Sequence, residues 1–200
     1  KPYNQTLKVL DKILSTSDHK FKYVDLGGVM GIKYKNSDKK FNYQDFKKRV
    51  HTFSKKHNCK IIFEPGRSIV GDTAILLSKI IYIKKSKNKK FIIIDAGMND
   101  LLRPALYDAN HEIVPLTRSL RYEKIEHDFV GPVCETADRF LKKNSYQKVS
   151  EGDCLGIKDV GAYGFVLSSN YNLRPRPLEL LIDRTKTKVI SIKEEIKDLL

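Results

Sequence analysis

Leu7, Leu10 and Leu14 recur at the spacing of one helix face, so residues 3–15 predict an amphipathic helix. Phe21 to Leu26 reads as a strand that stops at Gly27-Gly28. Tyr43, Phe46, Val50 and Phe53 then mark a second helix face. Asn42 is its N-cap, and Asp45 favours its first turn. Lys60 to Phe63 is a further short strand, ended by Glu64-Pro65-Gly66. Helix, strand, helix, strand is the rhythm of a parallel α/β unit. Two parallel strands make no stable sheet alone and leave an open apolar edge, so further strands are expected to precede them.

Beyond Arg67 the pattern changes. Ala74–Ile83, Lys90–Asp95, Asp153–Val160, Phe165–Ser168 and Leu178–Ile182 are strand-like and separated by turns, which predicts a mainly β second domain. Lys193 to Leu200 predicts a terminal helix with Ile196, Leu199 and Leu200 on its apolar side. No internal repeat or low-complexity linker interrupts the chain, and the domain boundary is expected near residues 67–75.

Composition narrows the class. Of 200 residues 40% are hydrophobic and 31% charged, the balance of a globular protein. The longest apolar runs, Ile80-Ile81-Tyr82-Ile83 and Phe91-Ile92-Ile93-Ile94, have strand length and fall far short of the roughly 20 residues of a membrane helix. The polar start, Lys1-Pro2-Tyr3-Asn4, lacks both an initiator Met and a signal peptide, so the chain is expected to begin mid-protein. Three cysteines without a CxxC pair argue against a disulfide framework or a metal site, and favour a reducing cytoplasm. The net charge of +14 is mostly lysine in short runs such as Lys84-Lys85, Lys87, Lys89-Lys90 and Lys142-Lys143. These runs sit between apolar segments and read as solvated loops. A nucleic-acid partner would rest on charge alone and is not expected.

Five stretches carry chemistry. Asp25-Leu26-Gly27-Gly28-Val29-Met30-Gly31 follows a strand, where glycines let backbone amides approach a phosphate; alone it also reads as a tight bend. Glu64-Pro65-Gly66-Arg67 adds exposed turn amides and a guanidinium suited to a carboxylate or phosphate; alone it also reads as a surface turn. The others are Asp95-Ala96-Gly97-Met98-Asn99-Asp100 running on through Arg103-Pro104-Ala105-Leu106-Tyr107, Gly131-Pro132-Val133-Cys134-Glu135-Thr136-Ala137-Asp138, and Gly161-Ala162-Tyr163-Gly164 with Ser169-Asn170-Tyr171-Asn172 and Arg174-Pro175-Arg176-Pro177 behind it. Taken singly, Cys134 reads more readily as a small buried apolar residue, and Tyr163 as core.

In this order and spacing the five stretches resemble the diaminopimelate decarboxylases, of the alanine-racemase-like class of pyridoxal-phosphate enzymes, over nearly the whole chain. The resemblance implies that residues 1–70 are the last two strands of a cofactor-binding TIM-type (β/α)8 barrel and 71–200 a β-rich C-terminal domain. It implies pyridoxal 5'-phosphate held by Gly28, by Glu64, Pro65, Gly66 and Arg67, and by Tyr163, with Glu64 facing the pyridine nitrogen. Arg67, Arg103, Tyr107, Glu135 and Tyr163 match substrate-binding positions, with Glu135 recognising the distal amino group. Cys134 matches the proton donor. The implied reaction is decarboxylation of meso-diaminopimelate to L-lysine, the last step of lysine biosynthesis, in a cytoplasmic homodimer whose subunits share their active sites, with no metal and no membrane partner. Glu135 and the Arg103–Tyr107 stretch favour this substrate over ornithine, arginine or carboxynorspermidine.

Two departures stand out. Val29 occupies the third position of a turn that in the family usually has three glycines, which puts cofactor affinity in question. The Schiff-base lysine lies in the family on an early barrel strand and has no counterpart here, so the chain alone is expected to be inactive. A non-catalytic relative that dimerises and binds a partner is the alternative. The intact Cys134-Glu135 pair and the Arg67, Arg103 and Tyr107 set argue against it.

Overall fold

The computed structural model describes residues 2–34, 38–117 and 119–200; the polar start at Lys1 lies outside them. Two compact units divide the chain, Lys1–Val70 and Gly71–Leu200.

In the first unit α1 (Pro2–Thr16), β1 (Tyr23–Asp25), α2 (Tyr43–His57), β2 (Lys60–Ile62) and the single turn α3 (Arg67–Val70) follow one another. The strands pair in parallel, with Val24 opposite Ile61. Leu7, Val24, Phe53 and Cys59 form the core, with Leu10, Leu14, Val50 and Ile61 packed around them. The leucine spacing of α1 thus does what it predicts. Asn42 caps α2, its side-chain oxygen accepting from the Asp45 amide at 2.9 Å, and Asn58 ends the helix in a left-handed turn. Asp45 is fixed from α1 as well, accepting from the Tyr3 hydroxyl at 2.7 Å.

The second unit is built on β3 (Leu76–Ser86), β4 (Lys89–Ile94), β5 (Ile113–Pro115), β7 (Glu126–Val130), β8 (Arg139–Lys143) and β10 (Cys154–Ile157), in the spatial order β5-β10-β3-β4-β7-β8. All pairs are antiparallel except β4 with β7. Two two-stranded pieces are separate from this sheet: β6 (Tyr122–Glu123) with β9 (Tyr146–Gln147), and the hairpin β11 (Glu179–Asp183) with β12 (Lys186–Ser191). The helix α4 (Arg103–Tyr107) lies in the β4–β5 connection and packs on β8. Burial alternates along β4 and brings Ile92 and Ile94 into the core with Ile80, Leu101, Phe129, Leu155 and Ile157. The fully buried Asp128 is held between Lys89 at 2.8 Å and Arg139 at 3.0 Å, which ties β4 and β8 to β7.

Two expectations of secondary structure need correction. Phe165–Ser168 is not a strand: Phe165–Leu167 forms a 3-10 turn closed by the Ser168 amide and hydroxyl on the Phe165 carbonyl. The serine side chain competes with any ladder for that carbonyl. The terminal helix over Lys193–Leu200 is reduced to a single 3-10 turn at Ile196–Asp198, capped reciprocally by Glu195 and Asp198. Ile196 and Leu200 are exposed, so no apolar burial offsets the cost of nucleating a longer helix. The run Ile80–Ile83 is buried on one side only. A bulge between Ile80 and Tyr82 leaves both Ile81 and Tyr82 exposed. Among the described residues no helix is long and apolar enough to cross a membrane.

Candidate active site

The two strand ends of the first unit carry two turns stitched to each other. The Leu26 amide donates to the Ile62 carbonyl at 3.1 Å, and the Glu64 amide to the Gly27 carbonyl at 3.0 Å. Asp25 shapes the glycine turn by accepting from the Gly27 amide at 2.7 Å. A Cβ on Gly28 would stand 3.1 Å from the Glu64 carbonyl oxygen, so this turn leaves a backbone-lined space that a side chain would crowd. Glu64 and Arg67 are exposed beside it, with Pro65 and Gly66 between them. The structure therefore brings Gly28, Glu64, Pro65, Gly66 and Arg67 together.

Val29 sits in this turn at a φ of 31°, where a β-branched side chain is strained. The Met30 amide turns back onto the Gly28 carbonyl and closes the bend around it. Glycine removes the clash at the cost of more unfolded-state freedom, so Val29→Gly is expected to stabilise the protein by about 1 kcal/mol. A higher urea midpoint at unchanged slope is the expected reading; an unchanged or lower midpoint would show the turn to be unstrained.

In the second unit the Cys134 loop is fixed by one carboxylate. Asp138, 3% exposed, accepts from the Val133 amide and the Met98 amide, both at 2.7 Å. Its backbone closes the loop mouth, the Gly131 amide donating to the Asp138 carbonyl at 2.9 Å. Burial pushes the Asp138 carboxyl up from the ordinary aspartate value, against the pull of the two amides and Arg174. Cys134 and Glu135 are left exposed at the tip. The Glu135 carboxylate is held by the Tyr171 hydroxyl at 2.5 Å, and that bond raises the tyrosine's own pKa.

The segment carrying Tyr171 is anchored in turn. Arg174 donates from Nε to Asn99 Oδ1 at 2.8 Å and from Nη2 to the Asp95 carbonyl at 2.5 Å. The Ser169 amide donates to the Asn99 carbonyl at 2.8 Å. Asp100 accepts from the Gly97 amide at 2.8 Å and from Asn99 Nδ2 at 2.9 Å. Three stretches far apart in sequence thus meet in one polar frame around residues 95–100.

Arg103 and Tyr107 stand on a different element, the first and last residues of α4. Arg103 is 5% exposed, whereas Tyr107 lies open at the surface. The helix stops at Asp108, whose left-handed backbone returns its amide to the Arg103 carbonyl. Tyr163 is exposed rather than core, in a turn with a φ of 61°. Cys59, not Cys134, is the buried cysteine.

Sequence reading gave no role to Asp138, Tyr171, Asn99 or Arg174, although all four lie inside the quoted stretches. A carboxylate a few positions after a Gly-Pro turn is a signal for amide capture, and Asp138 was legible on that ground. The bond from Tyr171 to Glu135 had no local signal, because 36 positions separate them.

The chain matches the family model of the C-terminal sheet domain of pyridoxal-dependent decarboxylases over residues 7–161. It is 40% identical over 196 residues to the diaminopimelate decarboxylase of Aquifex aeolicus, covering 96% of this chain and 46% of that protein. With the Helicobacter pylori diaminopimelate decarboxylase it shares 42% identity over 178 residues, which is 89% of this chain and 44% of the relative. The crystal structure of the Helicobacter pylori enzyme complexed with L-lysine superposes with a TM-score of 0.80 at 37% identity, covering 98% of this chain and 48% of that one. The chain thus spans less than half the length of these relatives. Its matched region takes in most of both units, and on that ground the chain belongs to the pyridoxal-dependent decarboxylase family, whose C-terminal sheet domain it carries.

Proposed function

We propose that the chain is the C-terminal portion of a pyridoxal-phosphate-dependent diaminopimelate decarboxylase, which converts meso-diaminopimelate to L-lysine. The observation that carries the reading is the Cys134-Glu135 tip. An exposed thiol and a carboxylate with a fixed hydrogen-bond partner stand side by side on a loop clamped by a buried acid. The names and the 40–42% identity of the relatives support the substrate.

The residues present fit the cofactor. The space at Gly28 that a Cβ would crowd suits a phosphate approached by backbone amides. Gly28, Gly66 and its neighbours Pro65 and Arg67 would hold that phosphate, a role also proposed for Tyr163, and the Glu64 carboxylate would keep the pyridine nitrogen protonated. When bound, pyridoxal phosphate supplies an electron sink for the pair left behind as carbon dioxide departs. Arg67, Arg103 and Tyr107 orient the substrate, guanidinium forks matching its two carboxylates. Tyr163 lines the substrate as well, and Glu135 takes the distal ammonium. Cys134 Sγ delivers a proton to the carbon that lost its carboxylate.

The first unit is read as the last two strands of a (β/α)8 barrel. An open apolar groove of about 450 Å³ beside α2 and β2, lined by Phe46, Val50, Ile61 and Phe63 among others, supports preceding barrel elements packed there. Cys134 and Glu135 serve the neighbouring subunit's site in a cytoplasmic homodimer, and their exposure on this chain supports that reading.

The test uses the full-length protein that carries this chain, loaded with pyridoxal phosphate. Lysine formation from meso-diaminopimelate is expected, with ornithine and arginine turned over at least about a hundredfold more slowly. Faster turnover of ornithine or arginine would reassign the substrate, and no carbon dioxide release with cofactor bound would sink the reading.

A further inference from the structure

We propose that His111 is a positioning residue, a neutral hydrogen-bond acceptor that sets the plane of the Arg103 guanidinium for a substrate carboxylate. The inference rests on the reading of Arg103 as a carboxylate-binding residue. His111 Nδ1 lies 2.9 Å from the Lys158 carbonyl oxygen, and Nε2 lies 3.0 Å from Arg103 Nη1. A carbonyl oxygen can only accept, so Nδ1 carries the ring proton. Arginine can only donate, so Nε2 presents its lone pair to Nη1. Both contacts thus require the same tautomer, and each is satisfied by a neutral ring.

The pair is buried, His111 at 1% and Arg103 at 5% exposure. Lys158 follows β10 while Arg103 opens α4, so the imidazole links the sheet to the helix that carries the guanidinium. An arginine fork binds a carboxylate through two parallel bonds only when its plane is set. A preset plane lowers the cost of ordering the fork as substrate binds. Among the described residues Arg103 faces the ring directly, and Glu112, next to His111 in the chain, is paired with Lys158 at 2.8 Å. Burial and the Arg103 charge both lower the His111 pKa, which keeps the ring in its accepting form at neutral pH. Protonation would turn Nε2 into a donor facing a cation and release the guanidinium.

The test again uses the full-length protein with pyridoxal phosphate bound. Two readouts are followed: KM against kcat for meso-diaminopimelate, and the calorimetric Kd for pimelate, an unreactive dicarboxylate of the same chain length. His111→Phe, similar in size and without an acceptor, is expected to raise KM and the pimelate Kd about tenfold with kcat within about twofold. His111→Gln, which supplies a donor and an acceptor, restores most of the loss. In wild type the pimelate Kd, corrected for the ligand's own protonation, weakens as pH falls below the ordinary histidine value of about 6.5; in His111→Gln that corrected acid limb is absent. If Arg103→Gln raises KM and Kd while His111→Phe leaves both unchanged, the positioning role falls and the reading of Arg103 stands. If Arg103→Gln itself changes neither, that reading falls and takes the proposal with it. Should His111→Phe fail to fold, the pH profiles decide, and an acid limb retained in His111→Gln overturns the proposal.

Discussion

On the proposed reading, Cys134→Ala in the full-length protein is expected to lower kcat by a factor of roughly 10² to 10³, the range lost with a general acid. Cofactor absorbance and the melting temperature should not move with it. The thiol is exposed and free, so its removal leaves no cavity and no unsatisfied partner, and stability should change by less than about 0.5 kcal/mol. This separation makes the experiment decisive. A fall in turnover with an unchanged fold assigns the proton to Cys134. Unchanged turnover removes Cys134 from the acid role, whatever the substrate is.

Asp138→Ala should do the opposite: destabilise first and impair turnover as a consequence. Two amides, of Val133 and Met98, lose their shared acceptor. Each buried donor left unpaired costs about 1–3 kcal/mol, so a loss of roughly 3 kcal/mol is expected in urea or thermal denaturation. Asp138→Asn keeps one acceptor oxygen and should lose about half as much. Gly131→Ala should cost as much as the alanine variant at 138, because its Cβ would stand 2.2 Å from the Asp138 carboxylate. The pH dependence has a definite sign. Burial raises the Asp138 pKa in the fold, so the folded state holds that proton more tightly than the unfolded chain. Its stabilising contribution is complete below the ordinary aspartate value and declines as pH rises through the raised one. Asp138→Asn should flatten that part of the profile. A loss below about 0.5 kcal/mol in Asp138→Ala would mean that the loop is held by other groups.

Legibility in the sequence followed the range of the forces involved. The helices of the first unit were readable because leucine spacing and the Asn42 cap act within a few residues. The turns at Gly27-Gly28 and Glu64-Pro65-Gly66 were readable for the same reason. Short strands such as β6 and β9 were missed, since two residues carry no periodicity and gain their pairing from partners more than twenty positions away. Phe165–Ser168 was misread because an apolar triplet looks like a strand until its serine closes on its own backbone. Within the site, the residues that touch a ligand in the proposed reading were named from motifs. Of those that hold them, Asp138 had a local signal, whereas Tyr171, Arg174 and His111 act through contacts across the fold and left little local trace.

The parallel pairing of β4 with β7 has a bearing on how the fold is completed. Parallel neighbours require a crossover, and here that crossover is the stretch from Asp95 to Ile125, which carries Asn99, Arg103, Tyr107 and His111. It is pinned by Asp138 and Arg174, both downstream of β7. Closing so long a loop is slow and is rewarded only when the later strand docks. The polar frame around residues 95–100 is therefore expected to be among the last parts to acquire a fixed conformation during folding. A chain released before Arg174 emerges would have its sheet and lack the anchor of that frame.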